Sequence, residues 1–460
     1  MRPQPIPNTS CSPIRVHQWP GRREYFDQTR RHTSPLIKHP ERTPEFPIRG
    51  PGIRRPGSFR LALLFSASIF ILAACVGDLD PDGGWAAPVL SGDHLYVGAK
   101  DGRITRLALN EDGRFDNAWG FPAAGVDTLG PLYGTPRVDG DRAIGATYDC
   151  GGLDCEATVF GISADTGDEL WRFKRQTQIV GAVAVSGDTV MFGTASIDDE
   201  FDTDPGVLGA DGYLYAIDTS TPLAPTVLWR VPATDSVWGT PVVSDGVVYF
   251  GDLDGVFHAV SLEGDDAGTE IWNFKAGGAI VAEPLIVDGK IYFGDFSDNF
   301  YALDIGTREA GGPGSNPLGA GEWSFDSDGW FWATPLLNDG VLYVGTLNGK
   351  FYALDPDTGT EFWANPGEVD GQIVGRAAIF EDAGSRTAVA VPSGTGNIGA
   401  FIASNGAELN GFATDAGVKA DLLVDNGVLY AHTTDDDLLR FKITDHGLFS
   451  CIDAETGAAC

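Results

Sequence analysis

The sequence predicts an all-β protein, an eight-bladed β-propeller of four-stranded antiparallel blades, with seven blades as the alternative count. The chain of 460 residues has 61 Gly and only 2 Met, which is typical of a turn-rich β protein. A unit of roughly 42–58 residues recurs along it, which indicates a repeat architecture. One four-stranded sheet of this size cannot bury both of its faces, whereas eight sheets stacked radially can, as the blades of a propeller do.

The clearest copy of the unit is GVLYVGTLNGKFYALDPDTGTEFW, which begins at Gly340. Its Asn348-Gly349 pair predicts a hairpin, because both residues accept positive φ. The DPDTG segment predicts a second tight turn by side-chain capping and glycine freedom. Four strands are therefore expected in this copy, near Thr334–Leu337, Val341–Thr346, Lys350–Asp355 and Glu361–Ala364.

Eight copies of the unit can be laid out along the chain. Their first strands read AAPVL, GTPRV, GAVAV, GTPVV, AEPLIV, ATPLL, GRAAIF and ADLLV. Six copies end in a tryptophan, namely Trp119, Trp171, Trp229, Trp272, Trp323 and Trp363. The seventh copy has Asn410 at this place, and the eighth has no tryptophan.

Two copies carry a recognisable motif, GISADTGDELW (Gly161–Trp171) and ALDPDTGTEFW (Ala353–Trp363). They resemble the tryptophan-docking motif A-x-D-x-x-T-G-x-x-x-W of the pyrroloquinoline-quinone-like propeller family. The resemblance implies that the six tryptophans are structural, each packing between neighbouring blades. The predicted propeller covers residues 85–460.

The N-terminal part of the chain predicts export and a lipid anchor. An apolar run of 14 residues, Leu61–Ala74, follows basic residues and is too short to span a membrane. It ends in Leu72-Ala73-Ala74-Cys75, which resembles the bacterial lipobox and implies lipidation of Cys75. Residues 53–74 are then a lipoprotein signal peptide, with an ordinary export signal as the alternative. The lipid would hold the protein on the outer face of the cytoplasmic membrane or the periplasmic face of an outer membrane.

Two flanking segments complete the predicted domain organisation. Residues 1–52 are rich in Pro and Arg without apolar periodicity, so we expect disorder there. A true translation start near residue 53 is the alternative explanation of this segment. Residues 75–84 are interpreted as an acidic tether behind the lipid.

Charge and cysteine usage agree with an exported protein. The formal net charge is -33, and residues 75–460 alone carry -41, which disfavours nucleic-acid binding. Two local disulfides are predicted, Cys150 with Cys155 and Cys451 with Cys460, and zinc binding is the alternative. No cofactor is expected, although the acidic insertion at 198–206 has carboxylates enough for a calcium ion.

The resemblance also raises an enzymatic alternative, because the family includes quinoprotein alcohol dehydrogenases. In those enzymes an adjacent Cys-Cys disulfide and a tryptophan flank the quinone. This sequence has no adjacent Cys-Cys, no CxxCH haem site and no GxSxG or HExxH motif. We therefore expect no enzymatic activity, and we expect His94, His258 and His432 to be structural or exposed.

Strand order predicts which loops share a face. With antiparallel strands A to D, the B–C turns and the D-to-A connections lie on one side of the propeller. The candidates for a binding face on that side are Trp238, Trp330, Phe331, Asp252, Asp254, Asp295 and Asp298. Loops on a rigid scaffold often carry binding residues, and aromatic residues are favoured anchors. The alternative is that these rings plug the central channel or pack between blades, as expected for Trp332.

The sequence thus favours a non-enzymatic, membrane-anchored lipoprotein whose propeller binds protein partners in the cell envelope. The chain is similar to the propeller lipoproteins of the outer-membrane β-barrel assembly machinery, which implies a role in outer-membrane protein assembly. The alternative is a propeller that binds or senses a sugar or similar small ligand by stacking on Trp330 or Trp238. A pyrroloquinoline-quinone-dependent dehydrogenase is the third alternative.

Overall fold

The computed structural model describes residues 84–109, 115–123, 129–148, 156–195, 212–311, 317–444 and 447–454. The predicted disordered segment 1–52, the signal peptide 53–74 and nearly all of the tether 75–84 lie outside these residues. So do Cys75, Cys150, Cys155, Cys460 and the insertion at 198–206. The predictions made for those positions stay predictions.

The described residues form eight antiparallel sheets in chain order, so the predicted all-β, eight-bladed propeller is confirmed. In seven blades four strands pair consecutively from the inner strand A to the outer strand D, and in blade 7 three strands, A to C, do so. The strands of the first four blades are β1 (Val89–Ser91), β2 (His94–Gly98), β3 (Ile104–Leu109) and β4 (Phe115–Phe121); β5 (Arg137–Asp139), β6 (Arg142–Ala146), β7 (Ala157–Ser163) and β8 (Glu169–Arg175); β9 (Ala184–Ser186), β10 (Thr189–Thr194), β11 (Tyr213–Asp218) and β12 (Thr226–Pro232); β13 (Val242–Ser244), β14 (Val247–Gly251), β15 (Val256–Ser261) and β16 (Glu270–Lys275).

Blades 5 to 8 follow the same plan, with a short helix in blade 5. The elements are β17 (Leu285–Val287), β18 (Lys290–Gly294), β19 (Asn299–Asp304), helix α1 (Ile305–Gly311) and β20 (Trp323–Asp326); β21 (Leu336–Asn338), β22 (Val341–Gly345), β23 (Lys350–Leu354) and β24 (Gly367–Glu368); β25 (Ala378–Glu381), β26 (Thr387–Val391) and β27 (Gly399–Ile402); β28 (Leu423–Asp425), β29 (Val428–His432), β30 (Asp437–Lys442) and β31 (Gly447–Asp453). Within the described ranges, no helix is long and apolar enough to cross a membrane.

In blades 4, 5, 6 and 8 the A–B turns are tight because an Asp-Gly or Asn-Gly pair takes positive φ at both residues, whereas in blades 1 to 3 only the glycine of a Gly-Asp pair does. Asp339 and Gly340, for example, have φ of 48° and 72°, the geometry that suits two-residue hairpins. The predicted hairpin at Asn348-Gly349 differs, because its positive φ occurs only at Gly349. Thr346 closes that longer B–C turn by accepting a hydrogen bond from the Lys350 amide over 3.2 Å.

Tryptophans link neighbouring blades through one repeated contact. The Trp363 indole donates from Nε1 to the Ala403 carbonyl over 2.8 Å, across to blade 7. Its ring lies on Gly406, where an added Cβ would be only 2.7 Å from the indole Cδ2. Three more tryptophans make the same bond and lie on a turn glycine of the next blade: Trp119 to Asp165 and Gly167, Trp229 to Leu262 and Gly268, and Trp323 to Pro356 and Gly359.

Two tryptophans depart from this scheme, although both are fully buried. The indole nitrogens of Trp171 and Trp272 make no hydrogen bond within the described part of the chain. The C–D connections of blades 3 and 5, which face them, lack the Thr-Gly turn. In blade 5, helix α1 takes its place, and Ile305 packs in the same apolar cluster as Trp272. Packing therefore links these blades without the indole bond.

The outer strands of blades 6 and 7 differ from the prediction. Blade 6 has its fourth strand at β24, not at Glu361–Ala364, where Trp363 turns inward after a single bridge between Leu354 and Glu361. Blade 7 has three regular strands, and its fourth side is formed by isolated bridges. There Phe412, two residues after Asn410, is fully buried and packs 5.5 Å from Phe441 of blade 8.

The ring closes by side-chain contact between the first and last blades. His432 Nδ1 lies 2.7 Å from the Ala86 carbonyl, and Thr105 donates to the Ala454 carbonyl over 3.0 Å. The Asp436 carboxylate accepts a hydrogen bond from the Lys100 amide. An apolar cluster that includes Leu95 and Leu438 fills the junction. All four strands of blade 8 come from the C-terminal part of the chain.

Candidate functional site

The seven D-to-A connections and the segment that leads into β1 line one cavity of about 380 Å³ on the axis of the propeller. Equivalent residues of these segments lie at the same depth in the cavity, so their side chains form rings around the axis. The ring nearer the opening of the channel, which we call the mouth ring, consists of Trp85, Tyr133, Val180, Trp238, Val281, Trp332, Val374 and Lys419. Two residues further along each connection lies the second ring, which consists of Ala87, Thr135, Ala182, Thr240, Glu283, Thr334, Arg376 and Asp421.

Aromatic side chains at the mouth contact one another across several blades. Tyr133 lies 5.4 Å from Tyr148 and 4.5 Å from Trp85, measured between ring centroids. Trp85 lies 6.5 Å from Trp332, which lies 6.4 Å from Trp238. Edge-to-face and tilted geometries such as these are favourable for aromatic rings. The contacts join rings from blades 1, 2, 4 and 6 across the mouth, so the aromatic surface is continuous although the blades between them contribute no ring.

The surface continues onto a B–C turn. Trp330 stacks on Phe296 at 5.2 Å with an interplanar angle of 12°, and Phe296 lies 5.7 Å from Trp332. Trp330 remains half-buried, with Leu253 and Leu347 partly buried in the same cluster. We call the set of Trp85, Tyr133, Tyr148, Trp238, Phe296, Trp330 and Trp332 the aromatic arc. It contains the predicted candidates Trp238 and Trp330, and of the other members the sequence analysis named only Trp332.

The structure corrects the prediction that Phe331 belongs to the binding face. Phe331 is 1% exposed and packs 5.3 Å from Phe300 inside the propeller. Phe331 fills the space that Gly294 leaves. A Cβ atom added at Gly294 would lie 2.2 Å from the Cβ atom of Phe331. Alignment of the repeats could have predicted that Phe331 is buried. The equivalent positions in other copies are the apolar residues Val237, Ile280 and Ile373, which are also buried.

Asp252 and Asp295 are also misplaced by the prediction, since both carboxylates are fully buried. Asp252 accepts hydrogen bonds from the amides of Val256 and Thr234 over 2.7 and 2.9 Å. Asp295 likewise accepts bonds from the Asn299 amide and from other amides around its turn. Both residues close B–C turns and do not form part of an exposed face.

The sequence also indicated that Asp252 and Asp295 cap turns. In other blades, Thr147, Thr194, Thr346 and Thr433 stand at the equivalent turn position and accept the same backbone bond. A position that alternates between Thr and Asp across repeats indicates side-chain capping of a turn.

The two remaining acidic candidates lie at the surface of the same face. Asp254 is exposed and pairs with Lys275 at 2.6 Å between Oδ2 and Nζ. Asp298 is half-buried with a φ of 65°. Burial, and then the carboxylates of Asp295, Asp326 and Asp328, raise the pKa of Asp298. The rim outside the aromatic arc therefore carries crowded negative charge in blade 5.

His258 and His432 are buried and make structural contacts. His432 joins the first and last blades through the Ala86 carbonyl. His258 lies between two carboxylates, with Nδ1 2.6 Å from Glu270 and Nε2 3.2 Å from Asp252. Burial lowers the pKa of His258, but the hydrogen bonds to Asp252 and Glu270 outweigh it, so that the pKa is raised overall. Burial raises the pKa of each carboxyl, but the bond to His258, the other hydrogen bonds to each carboxylate and the charge of His258 together outweigh it, so both pKa values are lowered.

These shifts predict a pH-dependent contribution of His258 to stability. A raised histidine pKa stabilises the fold below about pH 6.5 and loses that effect as pH rises through the folded-state pKa. The lowered carboxyl pKa values stabilise the fold above about pH 4 and lose that effect only in stronger acid. We expect His258→Gln to lower the free energy of unfolding by about 1–3 kcal/mol at pH 5.5 and by less at pH 8.5. Urea denaturation at both pH values measures this, with the half-buried His94→Gln as control; an equal loss at both pH values would contradict it.

The walls of the channel carry charge below the mouth ring. Arg376 and Asp421 form a pair, with 3.7 Å between Nε and Oδ2, and the Arg376 amide donates to Asp421 over 2.7 Å. Lys419 Nζ lies 4.8 Å from the centroid of the Trp85 ring. Glu283 faces the same cavity from blade 5. The channel therefore combines aromatic walls with charged groups of both signs.

The metal and disulfide predictions concern His, Cys, Asp and Glu side chains. In the part of the chain that is described, no group of three or more His, Cys, Asp or Glu side chains is arranged to hold a metal ion. Cys451 is disulfide-bonded, and its predicted partner Cys460 lies outside the described residues.

Comparisons with known proteins agree with this architecture. The family model PQQ_2, described as "Outer membrane protein assembly factor BamB", matches residues 76–221, 210–310, 316–378 and 352–458. The computationally designed Ika8 protein is 16% identical with a TM-score of 0.58, covering 79% of this chain and 97% of that chain. BamB from Moraxella catarrhalis is 18% identical with a TM-score of 0.55, covering 78% of this chain and 92% of that chain. No curated protein matches the sequence significantly. At these identities the two structures show the fold alone.

Proposed function

This chain belongs to the family described as outer membrane protein assembly factor BamB, and from that premise we propose that it is a non-enzymatic protein-binding scaffold of the cell envelope. Its partner is an envelope protein, and its task is outer-membrane protein assembly. Family membership supports an exported, envelope-associated protein that engages other proteins. The particular partner surface is our proposal.

The aromatic arc is the observation that carries this proposal. Half-buried tryptophans at Trp85, Trp238, Trp330 and Trp332 expose part of their rings on one face of a rigid propeller. Aromatic residues that are well packed from below and open above are the usual anchors of protein interfaces. Around them lies the acidic rim with Asp254 and Asp298, which suits a partner with an apolar centre and basic flanks.

A site-specific cross-linking experiment tests this surface. A photoreactive amino acid at position 330 is expected to capture a defined envelope protein in native membranes, because Trp330 lies at the open edge of the arc. The double variant Trp238→Ala/Trp330→Ala is expected to lose co-purification of that partner. Removing two interface anchors typically weakens binding by more than about 2 kcal/mol, or roughly thirtyfold.

Phe362 supplies the matched control, because it is an aromatic residue that is 49% exposed and lies away from the channel mouth. The same photoreactive residue at position 362 is expected to give no defined adduct, and Phe362→Ala is expected to keep the partner. Equal capture at both positions would mean that the adduct reports general exposure. Retention of the partner by the double variant would exclude the arc as the interface.

We further propose that the protein is anchored through a lipid on Cys75, following the lipobox in its sequence. Covalent acyl chains bind membranes by burying methylene groups, so their removal has a large effect on partitioning. Cys75→Ser is expected to abolish incorporation of a labelled fatty acid and to move the protein out of the membrane fraction. Cys451→Ser, which removes a cysteine in β31, is expected to leave labelling intact. Undiminished labelling of the Cys75→Ser protein would refute the anchor.

A further inference from the structure

The central channel contains a cation without a counter-ion. In the part of the chain that the structure describes, the Lys419 side chain makes no hydrogen bond and no ion pair. Its Nζ lies against the Trp85 ring at 4.8 Å, and burial lowers the pKa of Lys419. The carboxylate two residues further on, Asp421, is already engaged by Arg376. A partly desolvated ammonium in this position is stabilised by an anion brought into the channel.

The second ring contains an acid without a partner as well. The Glu283 side chain makes no hydrogen bond or ion pair to any described residue. Burial raises the pKa of Glu283 and the Asp421 carboxylate raises it further, while Arg137 and Arg376 oppose this without contacting it. The oxygens of this carboxyl group can accept hydrogen bonds from the hydroxyl groups of a ligand. The hydroxyls of Thr240 and Thr334, on the blades to either side, line the same cavity.

The sign of the free charge in the channel favours an anionic ligand. The cavity lining carries three basic side chains, Arg137, Arg376 and Lys419, against two acidic ones, Glu283 and Asp421. Because Arg376 pairs with Asp421, the lining keeps a formal excess of one positive charge even when Glu283 is ionised. This excess occurs in a protein whose residues 75–460 carry a net charge of -41. A positive channel in so acidic a protein is a local feature that attracts small anions.

Size and wall chemistry define the rest of the ligand. A cavity of about 380 Å³ lies at the lower end of the range for small-molecule sites, about 300–1,000 Å³. The indoles of Trp85, Trp238 and Trp332 offer flat apolar walls, while the hydroxyls and Glu283 offer hydrogen bonds below them. This combination suits a compact ring that has an apolar face and several hydroxyl groups.

We propose that the channel binds a carboxylated monosaccharide of the hexuronate class. Its carboxylate pairs with Lys419 at the mouth ring, its apolar face packs against an indole, and its hydroxyls bond to Thr240, Glu283 and Thr334 in the second ring. This site goes beyond the scaffold function, and it can fail without affecting the partner surface.

Isothermal titration of the full-length protein with D-glucuronate and with neutral D-glucose tests the proposal. Glucuronate is expected to bind at least about tenfold more tightly than glucose, since a charge-assisted hydrogen bond distinguishes them. Lys419→Met is expected to remove this preference. Thr334→Val, which keeps the side-chain shape, is expected to weaken glucuronate binding by about fivefold. Lys290→Met is the control, because that lysine pairs with Asp357 on the opposite face.

Three results would overturn the site. These are equal affinities for the two sugars, an unchanged affinity in Lys419→Met, or no binding of glucuronate at millimolar concentration. Thermal denaturation of each variant shows whether it is folded. If Lys419→Met does not fold, Thr334→Val and the comparison of the two sugars decide the question.

Discussion

Replacing Trp363 by alanine is expected to lower the free energy of unfolding by about 3–5 kcal/mol, as for other buried aromatic side chains. Trp363 is 3% exposed and fills the junction of blades 6 and 7. Its ring packs 5.7 Å from Tyr343 and 6.1 Å from Phe401, and its Nε1 donates to the Ala403 carbonyl. The variant leaves a cavity against Gly406 and a carbonyl without its donor.

The neighbouring residue is a stringent control for this prediction. Phe362 differs from Trp363 by one position, yet its side chain is 49% exposed. Phe362→Ala is expected to change the free energy of unfolding by less than about 1 kcal/mol. Urea denaturation followed by circular dichroism measures both variants. Similar losses at the two positions would show that the interblade junction is not what makes Trp363 important.

Replacing Arg308 by methionine is expected to cost about 3–5 kcal/mol, because it leaves a buried carboxylate without its charge partner. The Arg308 and Glu322 side chains are 2% and 0% exposed. Arg308 Nε donates to Glu322 Oε1 over 2.7 Å, and a second bond joins Nη2 to Oε2. The guanidinium also lies 4.7 Å from the Phe274 ring of blade 4, so it joins two blades.

A double variant distinguishes the effect of the unpaired buried charge from the effect of lost packing. Arg308→Met/Glu322→Gln removes both charges, and the remaining amide oxygen can still accept the Asp304 amide that Glu322 binds. It is expected to recover part of the stability lost in Arg308→Met. The exposed pair of Arg172 with Glu169 is the control, and Arg172→Met is expected to cost less than about 1 kcal/mol. A double variant that is no more stable than Arg308→Met would contradict the buried-charge explanation.

The sequence by itself determined the fold class, the eight-fold repeat and the family. These features depend on local patterns, because apolar runs, Asp-Gly turns and a fixed tryptophan spacing act within a single copy of the repeat. Asp339-Gly340 turns the chain whatever blade lies beside it, and the motif that ends in Trp363 places its ring at the end of the same unit. The family match confirms the prediction made from that motif.

Only the tertiary structure decided which side chains form the surface of the candidate site. In the irregular D-to-A connections, the direction of each side chain depends on the space left by the neighbouring blade and not on a strand period. Phe331 points inward because Gly294 leaves room for it, while Trp330 and Trp332 stay at the mouth. Asp252 is buried because amides of two different segments converge on it.

The aromatic arc is likewise a product of ring closure. Trp85 and Trp332 are separated by almost 250 positions in the chain, and they meet because blades 1 and 6 both face the axis. No local pattern encodes such a contact, since it depends on the number of blades and on the register shared by the eight segments that lead into the A strands. The sequence therefore determined the units of this protein, and their arrangement around the axis decided the site.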